Sequence, residues 1–150
     1  MSKELKWTLK SFAELTTTEL YKLLQQRQDV FILEQECKYP DLDDKDQITL
    51  HLMGWIDDEL VAYARVFPPR TLFETESSFG RVLIHQKYRR YSYGKELIQK
   101  LIDTSISEFK TASIRIEAQY YLLRFYENFG FKAYGDTFMD AGVEHIMMVR

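Results

Sequence analysis

The sequence predicts a mixed α+β domain, with about seven strands and three or four helices interleaved along the chain. Three observations carry that expectation. Two β-rich runs, residues 48–56 and 60–67, flank the turn signal Asp57-Asp58-Glu59 and so make a hairpin. Within residues 94–109 the apolar set Leu97, Ile98, Leu101, Ile102, Ile106 and Phe109 recurs at the spacing of an amphipathic helix. A chain of 150 residues suits one domain, here 1–150, with no repeat or linker to divide it.

The remaining elements follow in order. Residues 7–12 read as a first strand, and Thr16, Thr17 and Thr18 offer caps for a helix. Leu20, Leu23, Leu24, Arg27, Val30 and Phe31 then recur at helical spacing, so one long or broken helix runs to about Glu34. Residues 36–47 form a polar loop with Pro40 and the aspartates Asp41, Asp43, Asp44 and Asp46. This loop reads as solvated; attraction of a cationic amine is the alternative, and the spacing lacks the ligand order of a calcium loop.

Pro68-Pro69 ends the second strand of the hairpin, and residues 79–84 form another. Beyond the amphipathic helix, residues 113–118 read as a strand and 121–128 as a helix capped by Gly130. Residues 131–134 and 145–149 supply the last two strands, with 135–142 connecting them.

Composition excludes several classes. A net charge of −3 argues against a dedicated nucleic-acid binder. Cys37 is the only cysteine, so no internal disulfide forms, and it reads as a partly buried structural thiol. The charged N-terminus and the lack of a long apolar run predict neither a signal peptide nor a membrane span, and a cytoplasmic protein fits. No metal site is expected.

Residues 80–97 carry chemistry. A strand ends, basic residues Lys87, Arg89, Arg90 and Lys95 and small residues Ser92 and Gly94 follow, and the amphipathic helix begins. Amides at a helix N-terminus are unsatisfied and carry partial positive charge, so they hold phosphates, and small residues admit the anion. This segment resembles the acetyl-CoA motif of the GNAT N-acetyltransferases, Gln/Arg-x-x-Gly-x-Gly/Ala. Arg89 takes the first position, Ser92 stands in place of the first glycine, and Gly94 is the second.

A second segment extends the likeness. Residues 114–119 followed by Phe125-Tyr126-Glu127-Asn128-Phe129-Gly130-Phe131 resemble the family's next strand and helix. A third, Arg27-Gln28-Asp29-Val30-Phe31-Ile32-Leu33-Glu34-Gln35 with nearby Cys37 and Tyr39, is similar to the ElaA-like branch, as are His51-Leu52 and Gly142-Val143-Glu144-His145.

The resemblance implies the GNAT acyl-CoA N-acyltransferase fold, a central mixed, mostly antiparallel twisted sheet flanked by helices. It also implies transfer of acetyl from acetyl-CoA to a primary amine of a small molecule or peptide, by direct attack in a ternary complex. Tyr126 matches the acid that protonates the leaving thiolate, and its ordinary pKa near 10 suits that role. His145 and then His51 are the leading candidates for the base, with His85, Glu34 and Glu117 as others. Val82, Leu83 and Ile84 would pair with the pantetheine arm. Arg89, Arg90, Tyr91, Ser92, Tyr93, Gly94 and Lys95 would hold the pyrophosphate, and Gln119 would contact the cofactor. Tyr88, Tyr91 and Tyr93 are candidates for a homodimer contact or an adenine-side pocket. A module that binds acyl-CoA without turnover is the alternative reading.

Overall fold

The computed structural model describes residues 3–150. Seven strands form two antiparallel sheets. The first has the order β1-β2-β3-β4, from Lys6–Ser11, Leu50–Ile56, Glu59–Phe67 and Ser78–Ile84. The second has the order β5-β7-β6, from Arg115–Gln119, Val143–Val149 and Lys132–Asp140. A single parallel bridge, Ser77 with Ile114, joins them at the start of β4 and β5. There the Ser77 N–H donates to the Ser113 carbonyl at 3.2 Å, and the Arg115 N–H donates to the Ser77 carbonyl at 2.9 Å. Past this bridge the two strands part, and the gap between them becomes the site.

Helix α1, Thr17–Arg27, starts on a capping box: Thr16 Oγ1 accepts from the Glu19 N–H, and the Glu19 carboxylate accepts from the Thr16 N–H. It then continues as a π-helical stretch, Gln28–Glu34. The expected long helix is therefore real but changes its winding halfway. Helix α2, Tyr93–Phe109, buries Leu97, Ile98, Leu101 and Ile102, each contributing about 1.5–3 kcal/mol of apolar burial. Ile106, expected on that face, is 47% exposed instead.

Strand β3 is buried from Leu60 to Phe67, because α1 and α2 both pack on it. Alternating side chains feed two clusters. Met53, Tyr63 and Leu83 join Leu23 and Val30 beneath α1, while Leu52, Ala62 and Ala64 meet α2.

Short helix α3, Leu123–Glu127, ends as Gly130 predicts. The Phe131 N–H reaches the Tyr126 carbonyl and the Gly130 N–H reaches the Glu127 carbonyl, with Gly130 at φ +91°. The 135–142 connection is corrected: most of it is strand β6, and the turn is only Ala141-Gly142. Between Tyr134 and Phe138 the register slips, so exposed residues 135–137 bulge opposite one partner position and blur the strand pattern.

Candidate functional site

A cavity of about 460 Å³ opens where β4 and β5 separate. Its walls are residues 78–82 of β4 and 116–119 of β5, with Phe31, Ile32 and Gln35 of the π-helical region across from them. π-Helical winding shifts the residues a helix presents, which no apolar spacing announces. Six of the candidate catalytic and cofactor-binding residues singled out from sequence line this cavity: Val82, Gly94, Glu117, Gln119, Tyr126 and His145.

Tyr126 is 5% exposed and sits among Phe79, Phe125 and Phe131, with ring centroids 6.2, 5.3 and 5.8 Å away. Its hydroxyl makes no hydrogen bond among the described residues, and burial pushes its pKa up. It therefore stays protonated across the physiological range. The chain reversal at Gly130 brings Phe131 back onto Tyr126 and fixes the ring.

His145 lies on β7 directly opposite Gln119 of β5. Its Nδ1 is 2.7 Å from the Val143 carbonyl, which only accepts, so the neutral ring carries its proton on Nδ1. Nε2 keeps its lone pair. The Phe138 ring stacks on the imidazole at 5.9 Å. His145 thus borders the cavity with Nε2 free of any protein hydrogen bond among the described residues.

The turn before α2 is left-handed at two positions. Arg90 and Ser92 adopt φ +76° and +64°, and Ser92, the N-cap, makes no side-chain cap bond to the helix. The first amides of α2 therefore keep their capacity for an anion. A Cβ added at Gly94 would meet no protein atom within 4 Å, so its side is open to a ligand.

Side chains of this segment go elsewhere. The Arg89 guanidinium donates to the Ile84 carbonyl at 3.1 Å and pairs with Glu34, Nη2 to Oε2 at 2.8 Å. That pairing holds the Glu34 carboxyl below its ordinary pKa. The Tyr93 ring is buried and its hydroxyl donates to the Lys3 carbonyl, so only its backbone remains for an anion. Leu83 points into the cluster beneath α1. Arg90, Tyr91 and Lys95 are exposed.

His51 is not brought to the cavity. It is fully buried, with Nε2 2.9 Å from the Asp46 carbonyl and Nδ1 2.6 Å from the Tyr63 hydroxyl. Burial lowers its pKa, and both ring nitrogens are already engaged. His85 lies outside the cavity as well, accepting from the Lys87 N–H at 3.1 Å.

The acidic loop departs from the solvated reading. Asp41, Asp43 and Asp46 alternate with Arg27, Arg65 and Arg81 in a closed ring of ion pairs. Asp41 meets Arg27 at 2.9 Å and Arg81 at 2.8 Å; Asp46 meets Arg27 at 2.6 Å and Arg65 at 3.3 Å; Asp43 meets Arg65 at 2.7 Å and Arg81 at 3.5 Å. Buried charges are tolerated only when paired in this way. Asp41, Asp43, Arg65 and Arg81 face the cavity; the sequence offers the aspartates only as an alternative attraction for a cationic amine, and gives neither arginine a role there. The available signals were Arg27 at an apolar helical position and Arg65 inside a buried strand.

Among the described residues, no group of three or more His, Cys, Asp or Glu is placed to hold a metal ion. No helix there is long and apolar enough to cross a membrane.

Two antiparallel sheets parted at one parallel bridge, with a cleft leading to an open helix N-terminus, define an acyl-CoA N-acyltransferase fold. A crystallised acyl-CoA N-acyltransferase from Pseudomonas aeruginosa superposes with a TM-score of 0.93 at 34% identity, covering 97% of this chain and 99% of that one. The crystal structure of Escherichia coli ElaA gives 0.89, also at 34% identity, covering 97% and 99%. A Synechocystis protein is 38% identical over 147 residues, 97% of this chain and 95% of its own. The sequence profile of the GNAT acetyltransferase domain matches residues 19–150. The chain belongs to the GNAT acetyltransferase family and to its ElaA-like branch.

Proposed function

We propose that residues 1–150 act as one N-acetyltransferase domain, moving acetyl from acetyl-CoA to a primary amine of a small molecule or peptide. The observation that carries this reading is that Tyr126 and His145 both line the one cavity between β4 and β5, which Gly94 at the uncapped N-terminus of α2 also borders.

In this reading the pyrophosphate rests on the amides of the 89–95 turn and of α2, with Arg90 and Lys95 adding charge from outside. Gly94 lets the backbone approach it. The pantetheine arm runs along the open edge of β4 at Val82, whose backbone neighbours polarise the thioester carbonyl at little reorganisation cost. Gln119 orients the cofactor from the opposite wall. His145 takes a proton from the amine through Nε2. The nitrogen lone pair forms the new C–N bond, the C–S bond breaks, and the Tyr126 hydroxyl protonates the leaving thiolate.

Isothermal titration should show saturable binding of acetyl-CoA, and a thiol-release screen over diverse amines should find turnover. Tyr126→Phe should lower kcat by about 10²-fold while leaving acetyl-CoA affinity in place. Full-rate turnover in that variant would remove Tyr126 as the acid. Tight binding with no turnover for any amine would favour an acyl-CoA sensing module.

A further inference from the structure

Strand β4 carries one residue more than β3 along the stretch that lines the cavity. Tyr63 faces Leu83 and Arg65 faces Gly80, so Arg81 and Val82 together oppose Ala64. At this bulge Arg81 adopts φ +50°, while its neighbour Gly80 does not take a left-handed angle. A residue with a Cβ holds that conformation only when its surroundings constrain it. A bulge also re-aims the local backbone, and this one lies on the edge of β4 that faces the cleft.

The constraint is visible. Arg81 donates from Nε to Asp41 Oδ1 at 2.8 Å and from Nη2 to the Asp41 carbonyl at 2.9 Å. The other carboxylate oxygen of Asp41 accepts from Arg27 Nε at 2.9 Å. Arg27 is fully buried at the end of α1, where Asp46 holds it at 2.6 Å. One carboxylate thus ties the bulge to the buried end of a helix.

We propose that Asp41 is a positioning residue for acyl transfer: through Arg81 it fixes the bulge of β4, and with it the aim of the backbone N–H groups that polarise the thioester carbonyl. This role rests on the acetyl-transfer reading above. Asp41 acts through Arg81 and not on the reacting atoms.

The test compares Asp41→Asn with Arg81→Gln, which leaves the buried Arg27–Asp41 pair intact if the first variant folds poorly. In the free protein, both should shift the Val82 amide resonance. With carbon-13-labelled acetyl-CoA bound, both should move the thioester carbonyl stretch toward its value in water. Turnover should fall about 10- to 100-fold in kcat, while affinity for free CoA, which has no acyl carbonyl, holds. In an Arg81→Gly background the bulge needs no tether, so Asp41→Asn should add little. A folded Arg81→Gln variant with unchanged Val82 amide and carbonyl stretch would overturn this role alone, as would full additivity with Arg81→Gly. Absence of acetyl-CoA binding to the unaltered protein would overturn the acyl-transfer reading and this role with it.

Discussion

Ser92 occupies a left-handed position, φ +64°, that disfavours any side chain by about 1–2 kcal/mol relative to the right-handed region. The sequence shows a serine where the family has glycine, and the backbone takes the glycine-like angle regardless. Ser92→Gly should therefore hold or raise the melting temperature, the gain limited by glycine's extra freedom when unfolded. Its acetyl-CoA affinity by titration should also hold or rise; a large loss would mean that the hydroxyl contacts the cofactor. Arg27 shows the opposite case, a residue whose environment was half legible. Its place among apolar helical positions is a signal for burial, but its partners Asp41 and Asp46 lie in a polar loop that looks solvated. Ion pairs between distant segments leave no periodic trace.

Elements with strong periodicity are legible in the sequence, and those held by special backbone angles are legible only where a glycine marks them. Helix α2 and the β2–β3 hairpin emerged from spacing and turn chemistry alone. The π-helical stretch and the β6 bulge did not, because tertiary packing and not local pattern selects them. Gly130 is the instructive success, since φ +91° and the returning Phe131 N–H both require what glycine permits. Gly130→Ala should cost about 1 kcal/mol, lowering the melting temperature by about 2–4 °C for a chain of this size. The same change displaces Phe131 from Tyr126, so kcat should fall while pyrophosphate-side affinity for CoA is kept. A loss of stability with unchanged kcat would show that Tyr126 is positioned by α3 alone.

At the scale of the molecule, the ion-pair ring and His51 make one polar layer between α1, the 41–46 loop and β3, buried at Arg27, Asp46, His51 and Arg65 and open to the cavity at Asp43 and Arg81. Its pH response follows from proton counting. The Asp46 carbonyl only accepts, so His51 carries its proton on Nε2 and accepts the Tyr63 hydroxyl at Nδ1. Burial lowers its pKa from the ordinary 6.5, so just below that pH the unfolded chain binds a proton that the folded chain refuses. Stability is therefore complete above pH 6.5 and declines as the pH falls through the window beneath it, by at most about 1.4 kcal/mol per pH unit for one group. A second decline belongs to the carboxylates. Burial opposes ionisation of Asp43, but Arg65 overrides it and holds that carboxyl well below the usual range. Its contribution is present above the unfolded value of 3.8 and is lost as the pH drops below it. Urea unfolding followed from pH 8 to 3 should thus show two separate declines. His51→Gln keeps a donor and an acceptor but cannot titrate, so it should flatten the upper decline and leave the lower one. An upper decline that persists unchanged in His51→Gln would place its proton on another group and detach His51 from the acid response of the layer.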